Sequence, residues 1–172
     1  MPEDARPGHL KSLANAASWS LAKLLLEHVP KARASVYSFE MDGSNLLVFG
    51  YGGRGERPGD FVAGTPWADA AIDRVKNGKS LIVGDWDKDP PVGSTRKPLD
   101  WSSCVSVPIV SGDGYAYGMI SVDAPATDSF FDSERHIVTV VAEVLAGAFA
   151  MAYPAAMRGI DANVSAEGKI EL

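Results

Sequence analysis

The run from Ser103 to Tyr153, SCVSVPIVSGDGYAYGMISVDAPATDSFFDSERHIVTVVAEVLAGAFAMAY, constrains the fold more than any other part of the chain. Its first residues alternate, with Val105, Val107 and Ile109 on one face and Cys104, Ser106 and Val110 on the other, the period of a half-buried strand. Pro108 needs a place without a ladder donor, at an edge or a bulge. Ser111-Gly112-Asp113-Gly114 supplies a four-residue hairpin connection. Tyr115 to Val122 returns antiparallel, with Tyr117 and Met119 expected on one face and Ile120 and Val122 on the other. Asp132 is expected to cap a long helix whose first turn carries Ser133 and Glu134. Along that helix Ile137, Val141, Val144 and Ala148 recur, with Val138, Leu145 and Phe149 beside them. This is about half the circumference, more than one sheet face needs.

The upstream half adds the remaining elements. Residues 1–9 read as an arm. Leu10, Leu13, Ala17, Leu21, Leu24 and Leu25 mark one face of a helix that Pro30 closes. Trp19 and Leu26 lie on its other side, and Ala146, Gly147 and Ala150 line the outer face of the last helix. Both helices are therefore expected to pack on the sheet and on a partner, giving a helical homodimer. Arg33 to Met41 alternates as a strand, Asp42-Gly43 turns, and Leu46 to Tyr51 returns. Thr65, Pro66 and Asn77-Gly78 delimit a short helix with Trp67, Ala71 and Val75 on one stripe. Leu81-Ile82-Val83 forms a short buried strand. Gly84 to Asp100 has no periodicity and the length of a lid, a binding loop or a disordered segment. After Pro154 the chain reads as a polar tail or linker, so residues 10–153 are expected to form one domain.

The net charge of −6 has the wrong sign for a phosphate-binding surface, so no nucleic-acid role is expected. One cysteine closes no internal disulfide, which fits a reducing compartment. The charged start, MPEDARPGHL, is unlike a signal peptide, and a cytoplasmic location is expected. The apolar helix near residues 137–152, interrupted by Thr139 and Glu143, is expected to be too short to enter a bilayer.

Gly50, Gly52 and Gly55 satisfy G-x-G-x-x-G after a strand. Arg57-Pro58-Gly59 follows where a phosphate-binding helix would open, so the stretch reads as a flexible connection. Asp85, Asp87 and Asp89 alternate as at the start of a calcium loop. Pro90 and Arg96 stand where its glycine and glutamate belong, which leaves a solvated acidic turn. His9, His28 and His136 have no zinc spacing, and no metal site is expected. Cys104 reads as a small buried apolar residue. Tyr51, Trp67, Trp86, Trp101 and Tyr117 fall on or beside the mid-chain helix and the long loop. The set suits equally a ligand pocket, with Asp85, Ser94, Thr95 and Arg96 as polar groups, or a capped core.

Ser103, Val105-Ser106-Val107-Pro108-Ile109, the turn, Tyr117-Gly118-Met119-Ile120-Ser121-Val122-Asp123, and Phe131 before the helix together resemble the C-terminal half of a GAF domain. The similarity extends over roughly Leu10 to Met151. The resemblance implies an α/β (α+β) fold with an antiparallel sheet of about six strands. The N- and C-terminal helices would cover one face, and the mid-chain helix and loops would cover a pocket on the other. It implies a non-catalytic sensor of a small molecule in signal transduction, homodimeric through its terminal helices and coupled to an output domain. Tyr51, Trp67, Asp85, Trp86, Trp101, Cys104 and Tyr117 would form the ligand-binding wall. No feature names the ligand or a cofactor. The N-K…F…D-E signature of cyclic-nucleotide-binding members is not found, and Cys104 is followed by Val105 rather than the histidine of bilin attachment. Members resembling free methionine-(R)-sulfoxide reductase need several cysteines, where this chain has one. The alternative is a dimerisation or protein-interaction module without ligand.

Overall fold

The computed structural model describes residues 6–94 and 100–153. The elements in chain order are α1 (Arg6–Leu25), β1 (Arg33–Phe39), β2 (Leu46–Gly53), α2 (Pro66–Lys76), β3 (Leu81–Val83), β4 (Ser103–Val110), β5 (Ala116–Ala124) and α3 (Asp132–Ala152). One antiparallel sheet runs in the order β2-β1-β5-β4-β3. It has five strands among the described residues, not the six expected. Phe61 exchanges hydrogen bonds with Leu46 at 2.9 and 3.0 Å, but this is a single bridge. Pro58-Gly59 before it and the Gly64–Thr65 entry into α2 after it leave no length for a strand.

Strand alternation gives the sheet two different faces. Ala34, Val36, Val105, Val107, Ile109, Ile120 and Val122 point to one side, where α1 and α3 bury Leu21, Leu25, Val138, Leu145 and Phe149 against them. Tyr37, Leu46 and Met119 point to the other, under Ala68, Ile72 and Val75 of α2. Ile109 pairs with Gly118 and Val110 with Ala116, so Tyr117 is the extra residue of a β-bulge. The bulge resets the alternation and corrects the expected facing of Tyr117. Its ring lies 5.4 Å from Phe149 on the helical side, while Met119 faces α2.

Gly50 and Gly52 are part of β2, not of a flexible connection, while Gly55 lies beyond the strand. A Cβ on Gly50 would lie 2.7 Å from the Ala14 backbone, and one on Gly52 would lie 2.6 Å from the Trp19 backbone. Bare backbone is what lets α1 lie directly on β2. The helix also begins earlier than the periodicity suggested, at Arg6, so part of the expected arm is helical. Its buried stripe is Leu10, Ala14, Ser18, Leu21, Ala22 and Leu25, which leaves Leu13 and Leu24 exposed beside Trp19.

Phe131, rather than Asp132, occupies the cap position of α3. The Glu134 carboxylate accepts from the Phe131 N–H at 2.8 Å, while Asp132 pairs with Arg135 at 3.0 Å. By length and composition α3 is long and apolar enough to cross a membrane, despite Thr139 and Glu143. Its inner stripe is packed into the sheet core, as in the core helix of a globular domain.

Substituting Gly52→Ala should lower stability by about 1–3 kcal/mol through overpacking against α1. Gly112→Ala, where an added Cβ meets nothing within 4 Å, should be close to neutral. Urea unfolding of the two variants beside the parent makes the comparison.

Candidate functional site

The face of the sheet opposite α1 and α3 carries a cavity of about 430 Å³. Its floor comes from residues on one face of three neighbouring strands: Arg33 and Tyr37 of β1, Met119, Ser121 and Asp123 of β5, and Cys104 and Ser106 of β4. The wall is α2 with the residues that lead into it, including Phe61, Trp67 and Arg74. The Thr65 hydroxyl accepts from the Ala68 N–H at 3.3 Å and Pro66 starts the helix, so the sequence sets this end locally. Trp86, Gly93, Ser94, Asp100 and Trp101 complete the rim. Gly93 has φ +78°, and a Cβ there would stand 2.2 Å from the Pro66 carbonyl, so the loop is pressed onto the start of α2. The rings form a continuous arc with centroid spacings of 5.1 Å (Tyr37–Phe61), 5.7 Å (Phe61–Trp67), 5.2 Å (Trp67–Trp86) and 4.5 Å (Trp86–Trp101).

Of the seven residues expected at a ligand wall, Trp67, Trp86, Trp101 and Cys104 are brought together here. Tyr51, Asp85 and Tyr117 do not line the cavity. Tyr51 sits on the outer strand β2, paired with Ser35, and its N–H donates to Asn15 Oδ1 at 3.3 Å. Asp85 closes its own turn, accepting from the Asp87 N–H at 3.0 Å and pairing with Lys88 at 3.0 Å. Tyr117 is turned to the helical side by the bulge. Of the polar groups expected beside them, Ser94 lines the cavity, while Thr95 and Arg96 lie outside the described residues.

The sequence reading did not single out Arg33, Asp123, Asp100 or Arg74. Arg33 Nε donates to Asp123 Oδ2 at 3.0 Å, and its two terminal nitrogens donate to Asp100 at 3.3 Å each. Arg54 bridges the same two carboxylates. Burial pushes the Asp123 carboxyl above its ordinary value, further than Arg33 and Arg54 pull it down. For Asp100 burial also acts upward, but the hydrogen bond from Arg54 and the charges of Arg33 and Arg54 hold it below the usual range. A charge at an inward position of an alternating strand is the signal that marks Arg33 and Asp123. Arg74 follows Trp67 by seven residues on the same helical stripe.

Burial, reinforced by the Asp123 charge, pushes the Cys104 thiol up to about 12. The side chain is a protonated, apolar part of the floor, not an activated nucleophile. His9, His28 and His136 are exposed, and no group of three metal-ligating side chains forms among the described residues.

The pattern of the GAF domain family matches residues 20–149. The chain belongs to this family. Solved GAF-fold structures resemble it at low identity. One is a type II free methionine-R-sulfoxide reductase from Thermoplasma acidophilum, 17% identical with a TM-score of 0.63, covering 83% of this chain and 96% of that one. Another is a GAF sensor protein from Burkholderia vietnamiensis, 21% identical with a TM-score of 0.56, covering 85% and 94%. A third is the GAF region of a membrane protein from Geobacter sulfurreducens, 19% identical with a TM-score of 0.62, covering 85% and 96%. No curated protein matches significantly. In this GAF domain the cavity lies on the sheet face away from the terminal helices.

Arg33→Met should destabilise by about 3 kcal/mol at neutral pH, because it leaves the buried Asp123 carboxylate with one arginine fewer. The Asp123 pKa would then stand further above its unfolded value. A carboxyl raised in this way destabilises the fold as pH rises past the unfolded pKa toward the folded one. The deficit should therefore shrink on acidification, which urea unfolding at neutral and mildly acidic pH will read.

Proposed function

We propose that this chain is a small-molecule-sensing, non-catalytic regulatory GAF domain acting in signal transduction. The observation that carries the reading is the roofed cavity, with a polar, charge-paired floor and an aromatic arc on one side. Pockets of this size and make-up are those that enclose small ligands. Binding beneath Trp86 and Trp101 would favour one position of the loop relative to β5, and β5 packs against α3 on the opposite face of the sheet. A ligand that distinguishes two such positions shifts their populations, and the terminal helices carry the change outward.

The neighbours include reductases as well as sensors, so an enzyme is the competing class. The single cysteine, buried and with its thiol held protonated, speaks against that chemistry. Native mass spectrometry beside the denatured mass should show a bound small molecule. Replacing Trp86 and Trp101 together by Ala should weaken its retention at least about tenfold. Retention unchanged in that variant would remove the cavity as the binding site.

Homodimerisation through the terminal helices is the second part of the proposal. Their outward sides leave Trp19 58%, Leu24 59%, Val144 65% and Met151 76% exposed. This apolar row would equally serve a ligand-free interaction module. Val144→Glu should convert a dimer to a monomer in sedimentation velocity while leaving ligand retention intact. A variant that sediments as the parent does would place the contact elsewhere.

A further inference from the structure

Most charges around the cavity are already answered. Arg33 and Arg54 are held by Asp100 and Asp123. Asp60 accepts from Arg57 at 2.7 Å and from the Val48 N–H at 2.7 Å. Arg74 is different. Its side chain makes no hydrogen bond or ion pair among the described residues, and its Nε is buried without a partner. Burial disfavours its charge, and the Cys104 thiol, which would offset it if ionised, stays protonated. Trp86 presents a second unanswered donor, with its indole Nε1 buried and unpartnered. Both side chains line the same cavity, and Trp86 packs against Cys104 of its floor.

An unpartnered buried N–H keeps the full cost of leaving water, and a desolvated guanidinium costs more. A carboxylate is the ligand group suited to both, since it carries the charge opposite to that of a guanidinium and accepts from an indole N–H. An amine would add a second cation beside Arg74 and meet no free carboxylate. Beside them the rings of Trp67, Trp101, Phe61 and Tyr37 add aromatic surface against which a flat ligand body can lie.

We propose that the ligand is a small aromatic carboxylic acid, its carboxylate held by Arg74 and the Trp86 indole N–H and its ring against the tryptophans. This rests on the sensor reading above and adds to it the chemical class of the ligand.

Calorimetric titration of the full chain with naphthoate, naphthylmethanol and naphthylmethylamine varies the charge on one ring system. The indole N–H resonance of Trp86 reports occupancy independently. Naphthoate should bind at least about tenfold more tightly than the alcohol, as a charge-assisted hydrogen bond gives, and should shift the Trp86 resonance. Arg74→Met should erase that preference while keeping affinity for the alcohol, and it should not lower thermal stability, since it removes an uncompensated charge. If that variant does not fold, Arg74→Gln carries the same comparison. Binding of the alcohol or the amine at least as tight as that of the acid would overturn the carboxylate assignment and leave the cavity a ligand site. An acid preference that survives loss of Arg74 would overturn it in the same way. No binding by any of the three, with an unmoved Trp86 resonance, would overturn this proposal and count against the sensor reading too.

Discussion

The charge cluster of Arg33, Arg54, Asp100 and Asp123 ties four parts of the chain together at one point. Arg33 opens β1, Arg54 follows β2, Asp100 ends the long loop and Asp123 closes β5. Two of the four groups are buried. A buried guanidinium or carboxylate is tolerated only with its partner in place. The ends of both central strands, the exit of β2 and the base of the rim therefore hold their positions together.

That cluster can exist because the sheet separates its two faces so completely. One face is apolar and receives α1 and α3, with α1 brought close by the bare backbone of Gly50 and Gly52. The other carries hydroxyls, sulfur and charges under a single short helix. Two-residue alternation in β1, β4 and β5 produces both faces from the same strands. The α1 and α3 side provides stability, and the α2 side keeps space.

The β4–β5–α3 run was legible because each of its signals is local. Strand alternation, a two-glycine turn and an amphipathic helix depend on residues near one another. The α2 boundaries were legible for the same reason, since Thr65-Pro66 and Asn77-Gly78 act within one helical turn. The bulge at Tyr117 was not legible, because it is a property of pairing between strands and one extra residue reverses the facing of a side chain. Likewise Gly50 and Gly52 imitate a nucleotide fingerprint in one dimension, and only the presence of α1 above them explains their lack of side chains. At the site, the tryptophans announced themselves by size and position. Arg33 and Asp123 are 90 residues apart, and nothing in either neighbourhood pairs them. Asp85 was attractive by position alone, but a short turn uses its carboxylate more cheaply than a distant cavity does.

Pro108 stands in β4 two residues beyond Ser106, where the pairing with β3 ends. From there one side of β4 has no neighbouring strand among the described residues. A proline at that point withholds a backbone donor from the open margin, so an incoming strand finds an incomplete template. The margin beside the cavity is thereby protected against extension of the sheet from one molecule to the next. At that margin a contact between copies would have to use side-chain surfaces, which sequence change can tune without disturbing the hydrogen-bond ladder.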